Sequence, residues 1–491
     1  MLPAIDNQNT ATLKYGAISR LTTALAMTGF LLLSSCDKFV QIPPPKSSLT
    51  TSQIFTASLN AAAAVSGIYS NILYGSGGVD FCNGAQTTYL GLSSDELINF
   101  QDNDATQFYQ NALQSTNGSL SAFFWNNPYN RIYAMNAVIE NLTNSAALST
   151  AARNQFVGES KFLRSLFYFY LVNIFGDVPY ITSTSWVYTD TARRVSKDLI
   201  NQILIQDLLD AQNKLPADYS YSNGEKTRAN KWAAKALLAR IYLYVGDWDH
   251  AKIESDSVIN SGQFSLATDL TTVFLANSSE SILQWGLNTA YGTYNSTAEG
   301  FSILPVDSTQ APQFYLSPQL LTSFEPGDQR FVAWVDSSNY AGVVYYYPFK
   351  YKVGIAQQLI NSAPTEYYTV LRLAEQYLIR AESEAHRGEL DQAISDLDVI
   401  RGRAQLLPLS PVLPQADVLN AIAQERRIEL FAEWGHRWLD LKRTAMVDQV
   451  MSVVTPQKSG GQPWVTTQQL FPIPKSELSK NPYLKQNAGY P

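Results

Sequence analysis

The pattern Ala239, Gly246, Asp247 and Ala251 returns 142 residues later as Ala381, Gly388, Glu389 and Ala393. In both places an apolar or amphipathic run ends at the glycine, an acidic residue follows, and a second run begins. Small residues let paired helices approach closely, and glycine adopts the left-handed conformation that ends a helix and turns the chain. The spacing is that of a tetratricopeptide-like helix–turn–helix unit of about 34 residues. Glycine turns and alanine contacts occur in any protein of α-hairpins, so ordinary helical hairpins stay open as a reading. Either way the feature points to a mainly α fold with a helical-hairpin scaffold.

Apolar periodicity places the helices. Residues 156–175 put Phe162, Leu166 and Phe169 on one face with Leu163, Phe167 and Tyr170 beside them, and Gly176-Asp177 stops the run. Residues 197–214 form a second amphipathic stretch closed by Leu215-Pro216. Residues 229–245 are apolar almost all round, which predicts a helix packed on several sides. Residues 371–387 and a last run over 418–443 complete the set, giving helix pairs around 156–214, 229–262, 371–404 and 418–443.

Two stretches break this period. From Trp285 to Tyr351, 15 of 67 residues are aromatic, against 12% for the whole chain, and Gly, Pro, Ser, Thr and Asn punctuate them. Residues 80–130 show the same character more weakly, with Asp95, Phe108, Phe123, Phe124 and Trp125 among polar neighbours. These read as ligand-facing insertions of irregular loops and short strands, around 80–130 and 265–365, carried by the helical scaffold. Loops held by rigid elements are where binding residues concentrate. Flat aromatic rings stack on the C–H faces of sugars, while amides and carboxylates pair with hydroxyls. Trp285, Tyr291, Tyr294 and Asn288, with Asp95 and Trp125 from the earlier stretch, are therefore the candidate ligand-binding residues. For any one aromatic the competing role is core packing, and if 345–347 is a strand, only one face of Tyr345-Tyr346-Tyr347 is available.

The N-terminus reads as an address. Lys14 and Arg20 precede an apolar stretch from Leu21 to Leu33, followed by Ser34, Ser35 and Cys36. That is a secretory signal, too short to span a bilayer comfortably. Leu33-Ser34-Ser35-Cys36 resembles the bacterial lipobox, which predicts a signal peptide over 1–35 and acylation at Cys36. Two or more acyl chains anchor a protein stably at about 0.8 kcal/mol per buried methylene. Residues 36–51, with Pro43-Pro44-Pro45, then form a lipidated tether, and 52–491 a single domain. Cys82 would have no disulfide partner in the mature chain.

The rest of the composition excludes chemistry. Net charge is −7 and the pI is about 5.2, with no basic run to track a nucleic acid. Two cysteines and three histidines in no ligand spacing leave no zinc site, and no phosphate-cradling glycine motif or nucleophile elbow occurs. No cofactor is expected; calcium stays open, since carboxylate-rich loops without a loop signature decide neither way. Glu425, Glu429 and Glu433 lie on one helix face, and two carboxylates can hydrolyse a glycoside. Interleaved Arg426, Arg427 and Arg437 favour an ion-pair network instead. His436, between Trp434 and Trp438, reads as a packed histidine, and Asp328 with Arg330 as a local ion pair.

At this point the mature chain resembles the SusD/RagB family of surface lipoproteins from Bacteroidetes-type bacteria. The resemblance is most specific in 425–443 (ERRIELFAEWGHRWLDLKR) and 471–490 (FPIPKSELSKNPYLKQNAGY), where Asn487-Ala488-Gly489-Tyr490 stands for the usual Asn-Pro-Gly-Tyr ending. Residues 159–179, 228–248 and 374–382 add to it. The resemblance implies four tetratricopeptide-like helix pairs with an irregular ligand-facing half. It also implies a partner, a TonB-dependent outer-membrane barrel of the SusC type, to which a captured oligosaccharide is passed without catalysis at the outer face of the cell. A RagB-like peptide ligand is the first alternative, and a secreted glycoside hydrolase a weaker one.

Overall fold

The computed structural model describes residue 55 and residues 57–74, 79–287, 295–357 and 362–491. The expected signal peptide, Cys36 and the tether fall outside the described residues, as do Asn288, Tyr291 and Tyr294. Among the described residues the scaffold helices are α1 (Ser58–Tyr74), α2 (Asn127–Leu142), α3 (Thr150–Phe175), α4 (Lys197–Lys214), α5 (Lys231–Val245) and α6 (Trp248–Ile259). After a long insertion come α7 (Leu373–His386), α8 (Leu390–Arg403), α9 (Gln415–Glu429), α10 (His436–Arg443) and α11 (Val447–Lys458).

Local chemistry sets the ends of these helices. Ser149, Ser196, Asn230 and Asp247 cap α3, α4, α5 and α6 by accepting backbone N–H bonds from the first turn. Gly246 and Gly388 sit at φ +77° and +81°, so each repeated glycine turns one helix into the next. Ala239, Ala251, Ala381 and Ala393 are fully buried. Consecutive helices from α2 to α6 pack on one another, and α6 packs directly on α7 although the whole insertion separates them in sequence. The two hairpins that share the alanine–glycine pattern are therefore neighbours in one continuous stack, with the insertion looped out between them. Helix α3 is its axis: from Gln155 to Phe175 every residue except Lys161 is buried.

Two-stranded antiparallel ribbons accompany the helices. β1 (Leu97–Asn99) pairs with β5 (Phe314–Leu316), and β2 (Val178–Pro179) with β3 (Arg194–Val195). β4 (Ser281–Trp285) pairs with β8 (Tyr368–Arg372), and β6 (Val335–Tyr340) with β7 (Val343–Pro348). In β7 the pleat buries Tyr347 and exposes Tyr346, the alternation expected of a strand.

Two expectations are corrected. Residues 80–130 are largely helical and inward-facing, because Leu90, Phe108, Leu120, Phe124 and Trp125 are apolar enough to enter the core. The run 418–443 is two helices, interrupted at 430–435 where Ala432, Trp434 and Gly435 all have positive φ. The break drives the Trp434 ring into the core against Tyr170 and Tyr368, 5.4 and 5.2 Å away at interplanar angles of 30° and 27°. A side chain at Gly435 would meet Leu90 at 2.5 Å, so the glycine is required by closeness as well as by conformation.

Candidate functional site

Strand β4 ends at Trp285, and every one of its residues is buried, so it reads as a core strand with no polar face. Trp285 is 1% exposed; its indole N–H donates to the Cys82 carbonyl at 2.8 Å, and the Tyr69 ring meets it edge-on at 5.7 Å. The expectation that Trp285 stacks on a sugar is thus corrected: both faces are taken by protein. What Trp285 does is anchor the start of segment 286–296.

Its neighbours hold the ends of two further segments close by. The Asn83 amide donates to the Leu73 carbonyl at 3.0 Å, tying residue 79 onward back to the end of α1. The Asn295 amide donates to Ser362 Oγ at 2.7 Å, and the Tyr368 hydroxyl donates to Glu299 at 3.0 Å. Gly84 lies against Ala298, where an added Cβ would come within 3.1 Å. These bonds hold described residues next to 75–78, 288–294 and 358–361 close to the β4–β8 ribbon. Burial pushes the Glu299 carboxyl up to about 8 although Thr87 and Tyr368 hydrogen-bond to it. Sequence reasoning missed Glu299, Ser362 and Tyr368, because their pairing is a product of distant strands and no local spacing announces it.

The other two candidates are also built into the interior. Asp95 is 3% exposed and accepts from Arg437 Nε at 2.7 Å and Nη2 at 2.9 Å, and from Arg427 Nη2 at 2.8 Å. Burial alone would raise its pKa; the two guanidinium groups outweigh it and hold the carboxyl at about 2. With both oxygens bonded inside the protein, Asp95 locks the first insertion to α9 and α10 and faces no ligand. Trp125 is 4% exposed, edge-on to Phe175 at 5.1 Å, and only its rim reaches the surface.

Glu425, Glu429 and Glu433 enter an ion-pair network, but with cations from distant elements. The interleaved Arg426, Arg427 and Arg437 pair with Asp440 and Asp95 instead, and Glu433 lies past the end of α9. Arg372 donates to Glu429 at 2.6 Å, to Glu280 at 2.9 Å and to Glu433 at 2.8 Å. Arg330 bridges Asp328 at 2.8 Å and Glu429 at 3.1 Å and also bonds Glu425, while Lys350 sits on Glu433. Every one of these side chains is buried and the carboxylates are held by arginine and lysine partners, so none faces a glycoside. His436 is buried on α10; burial lowers its pKa to about 4, which makes it a neutral packing residue.

A family model described as the SusD family matches residues 335–490, and a second, described as starch-binding and associating with the outer membrane, matches residues 80–243. Among curated relatives, the SusD-like protein P25 of Formosa agariphila is 26% identical over 94% of this chain and 98% of its own length. A solved laminarin-binding SusD-like protein is 25% identical, with a TM-score of 0.73 over 88% of this chain and all of that one. A SusD superfamily protein from Bacteroides vulgatus shares the fold at a TM-score of 0.74 and 21% identity, over 89% of this chain and all of that one. The signature helices α9 and α10, the Trp434 break between them and the stacked hairpins are the parts these matches span, and the chain belongs to the SusD/RagB family.

Proposed function

We propose that this protein is a non-catalytic capture lipoprotein of the outer membrane, which binds an oligosaccharide and passes it to a TonB-dependent barrel of the SusC type. The observation that carries the reading is the pair of hydrogen bonds that tie Trp285 to Cys82 and Asn295 to Ser362, fixing both ends of the segment that holds Asn288, Tyr291 and Tyr294 on the rigid helical stack. Rigid elements that present several loops at one place form a binding surface with little ordering cost. The segment anchored by Trp285 contains Asn288, Tyr291 and Tyr294, which supply the stacking rings and the amide that a sugar needs.

The family supports the ligand class and the absence of catalysis. SusD proteins bind glycans without cleaving them. One matching family model is described as starch-binding, and one similar structure is a laminarin-binding protein. Anchoring at Cys36 on the outer leaflet and hand-over to a barrel rest on the lipobox and on family membership. The carboxylates that a hydrolase would need are consumed by arginine pairs, which argues for capture alone. The experiment is a titration of the full chain, in a non-glycosidic detergent, with laminarin-derived and starch-derived oligosaccharides and with peptides. Saturable sugar binding lost in Tyr291→Ala with Tyr294→Ala supports the reading; binding of peptides alone replaces the ligand class.

A further inference from the structure

A second surface has the same chemical character and lies elsewhere. At the start of α2 a cleft of about 560 Å³ is lined by Trp125, Asn126, Tyr129, Asn130 and Tyr133. Its volume falls within the roughly 300–1,000 Å³ of small-ligand sites. Asp190, Glu477 and Lys480 also line it, the last two paired at 2.8 Å.

The lining is ordered by helix geometry. Trp125, Tyr129 and Tyr133 are four residues apart, and so are Asn126 and Asn130; at 3.6 residues per turn the rings form one row and the amides the row beside it. This i, i+4 spacing was legible in WNNPYNRIY. A π-helical turn over Leu120–Asn126, in which the Asn127 N–H reaches back to the Ala122 carbonyl, seats Trp125 at the head of the row. Such wide turns are frequent at functional sites. The Trp125 and Tyr129 rings are 5.1 Å apart, and the Tyr129 hydroxyl donates to the Pro179 carbonyl at 2.9 Å, which fixes that ring. Tyr133 is 54% exposed. Among the described residues, the side chains of Asn130 and Asp190 have no hydrogen-bond or ion-pair partner in the protein and are exposed on the cleft.

We infer that this cleft is a second carbohydrate site, taking a short neutral oligosaccharide. The exposed tyrosine offers a flat face to a sugar ring, the Asn130 amide both donates to and accepts from hydroxyls, and the Asp190 carboxylate accepts from them. Two carboxylates against one lysine disfavour an anionic glycan. The site is separate from the face around Trp285. Arg131, which bonds Asp80 at 2.8 Å on that side, stands roughly opposite Tyr133 on α2 at about 100° per residue. Only the ligand class leans on the proposed function; the cleft stands on its own geometry.

The test compares four forms of the full chain in non-glycosidic detergent: wild type, Tyr291→Ala with Tyr294→Ala, Tyr133→Ala with Asn130→Ala, and all four substitutions together. Calorimetric titration with short laminarin-derived and starch-derived oligosaccharides reads the affinities, and thermal melting checks the folds. The expected result is residual binding in the Tyr291/Tyr294 form that weakens about tenfold, the scale of one lost stacking contact, when Tyr133→Ala and Asn130→Ala are added. Loss of all binding in the Tyr291/Tyr294 form overturns the second site and leaves the proposed function standing. Loss confined to the Tyr133/Asn130 form supports the cleft and removes the Trp285 face. Silence in all four overturns both. Unchanged sugar binding in the Tyr133/Asn130 form, with loss of co-purification with a barrel partner, overturns the site and assigns the cleft to a protein contact.

Discussion

The Trp285 indole N–H donates to the Cys82 carbonyl at 2.8 Å, joining residues 203 positions apart. This bond closes the β4–β8 ribbon against the first insertion and places the start of segment 286–296. Burying a tryptophan with its N–H satisfied serves stability first. Trp285→Ala should therefore destabilise the protein by about 3–5 kcal/mol, the range for emptying a core aromatic site. Trp285→Phe should cost less and leave sugar affinity measurable. Urea denaturation checks both; an unchanged unfolding midpoint in Trp285→Ala would show the ring is not a core element.

Glu429 accepts from the buried Arg372 and Arg330 and from Arg403, whose side chain is 5% exposed. Removing one charge from a buried network leaves its partners uncompensated, at about 3–5 kcal/mol. Glu429→Gln should lower the melting temperature and leave no hydrolytic activity to lose. A glycan turnover present in wild type and abolished in this variant would make α9 catalytic.

The Glu299 carboxyl is pushed up to about 8 from its ordinary 4.5, burial being the largest cause. The folded state then keeps a proton that the unfolded chain releases. Its contribution is full below about 4.5 and is lost as pH rises through about 8. Glu299→Gln stays neutral and removes that loss. Thermal melting across this range should show wild type losing stability relative to the variant as pH rises; parallel curves would contradict the assignment.

Cys36→Ala should release the protein from membranes, because the lipobox is its only proposed anchor. Fractionation of cells with radiolabelled fatty acid reads both arms. Unchanged membrane retention with no incorporated lipid in wild type would refute acylation at that site.

Helix ends were legible because their chemistry is local. Ser196 and Leu215-Pro216 bound α4 at Lys197–Lys214, where the periodicity predicted it. Gly246 and Gly388 turn the hairpins as their spacing implied. The seating of α6 on α7 was not legible, since the whole insertion separates them in the chain. Nor was the break at Trp434, where two non-glycine residues take positive φ to bury a ring. Of the candidate site residues, Asp95 was misread because its arginine partners are 332 and 342 positions away. Trp285 was misread because a short buried strand looks in sequence like an aromatic loop. The aromatic composition of the insertions motivated the sugar reading; the positions of individual rings depended on pairings that composition does not record.

The measurement that bears most directly on the account is calorimetric titration of the full chain with laminarin-derived and starch-derived oligosaccharides, followed by chromatography of the recovered sugar. The account predicts saturable binding that weakens about tenfold in Tyr291→Ala with Tyr294→Ala, and sugar recovered at its original length. Sugar recovered in shorter pieces, or heat from peptides and none from sugars, would contradict it.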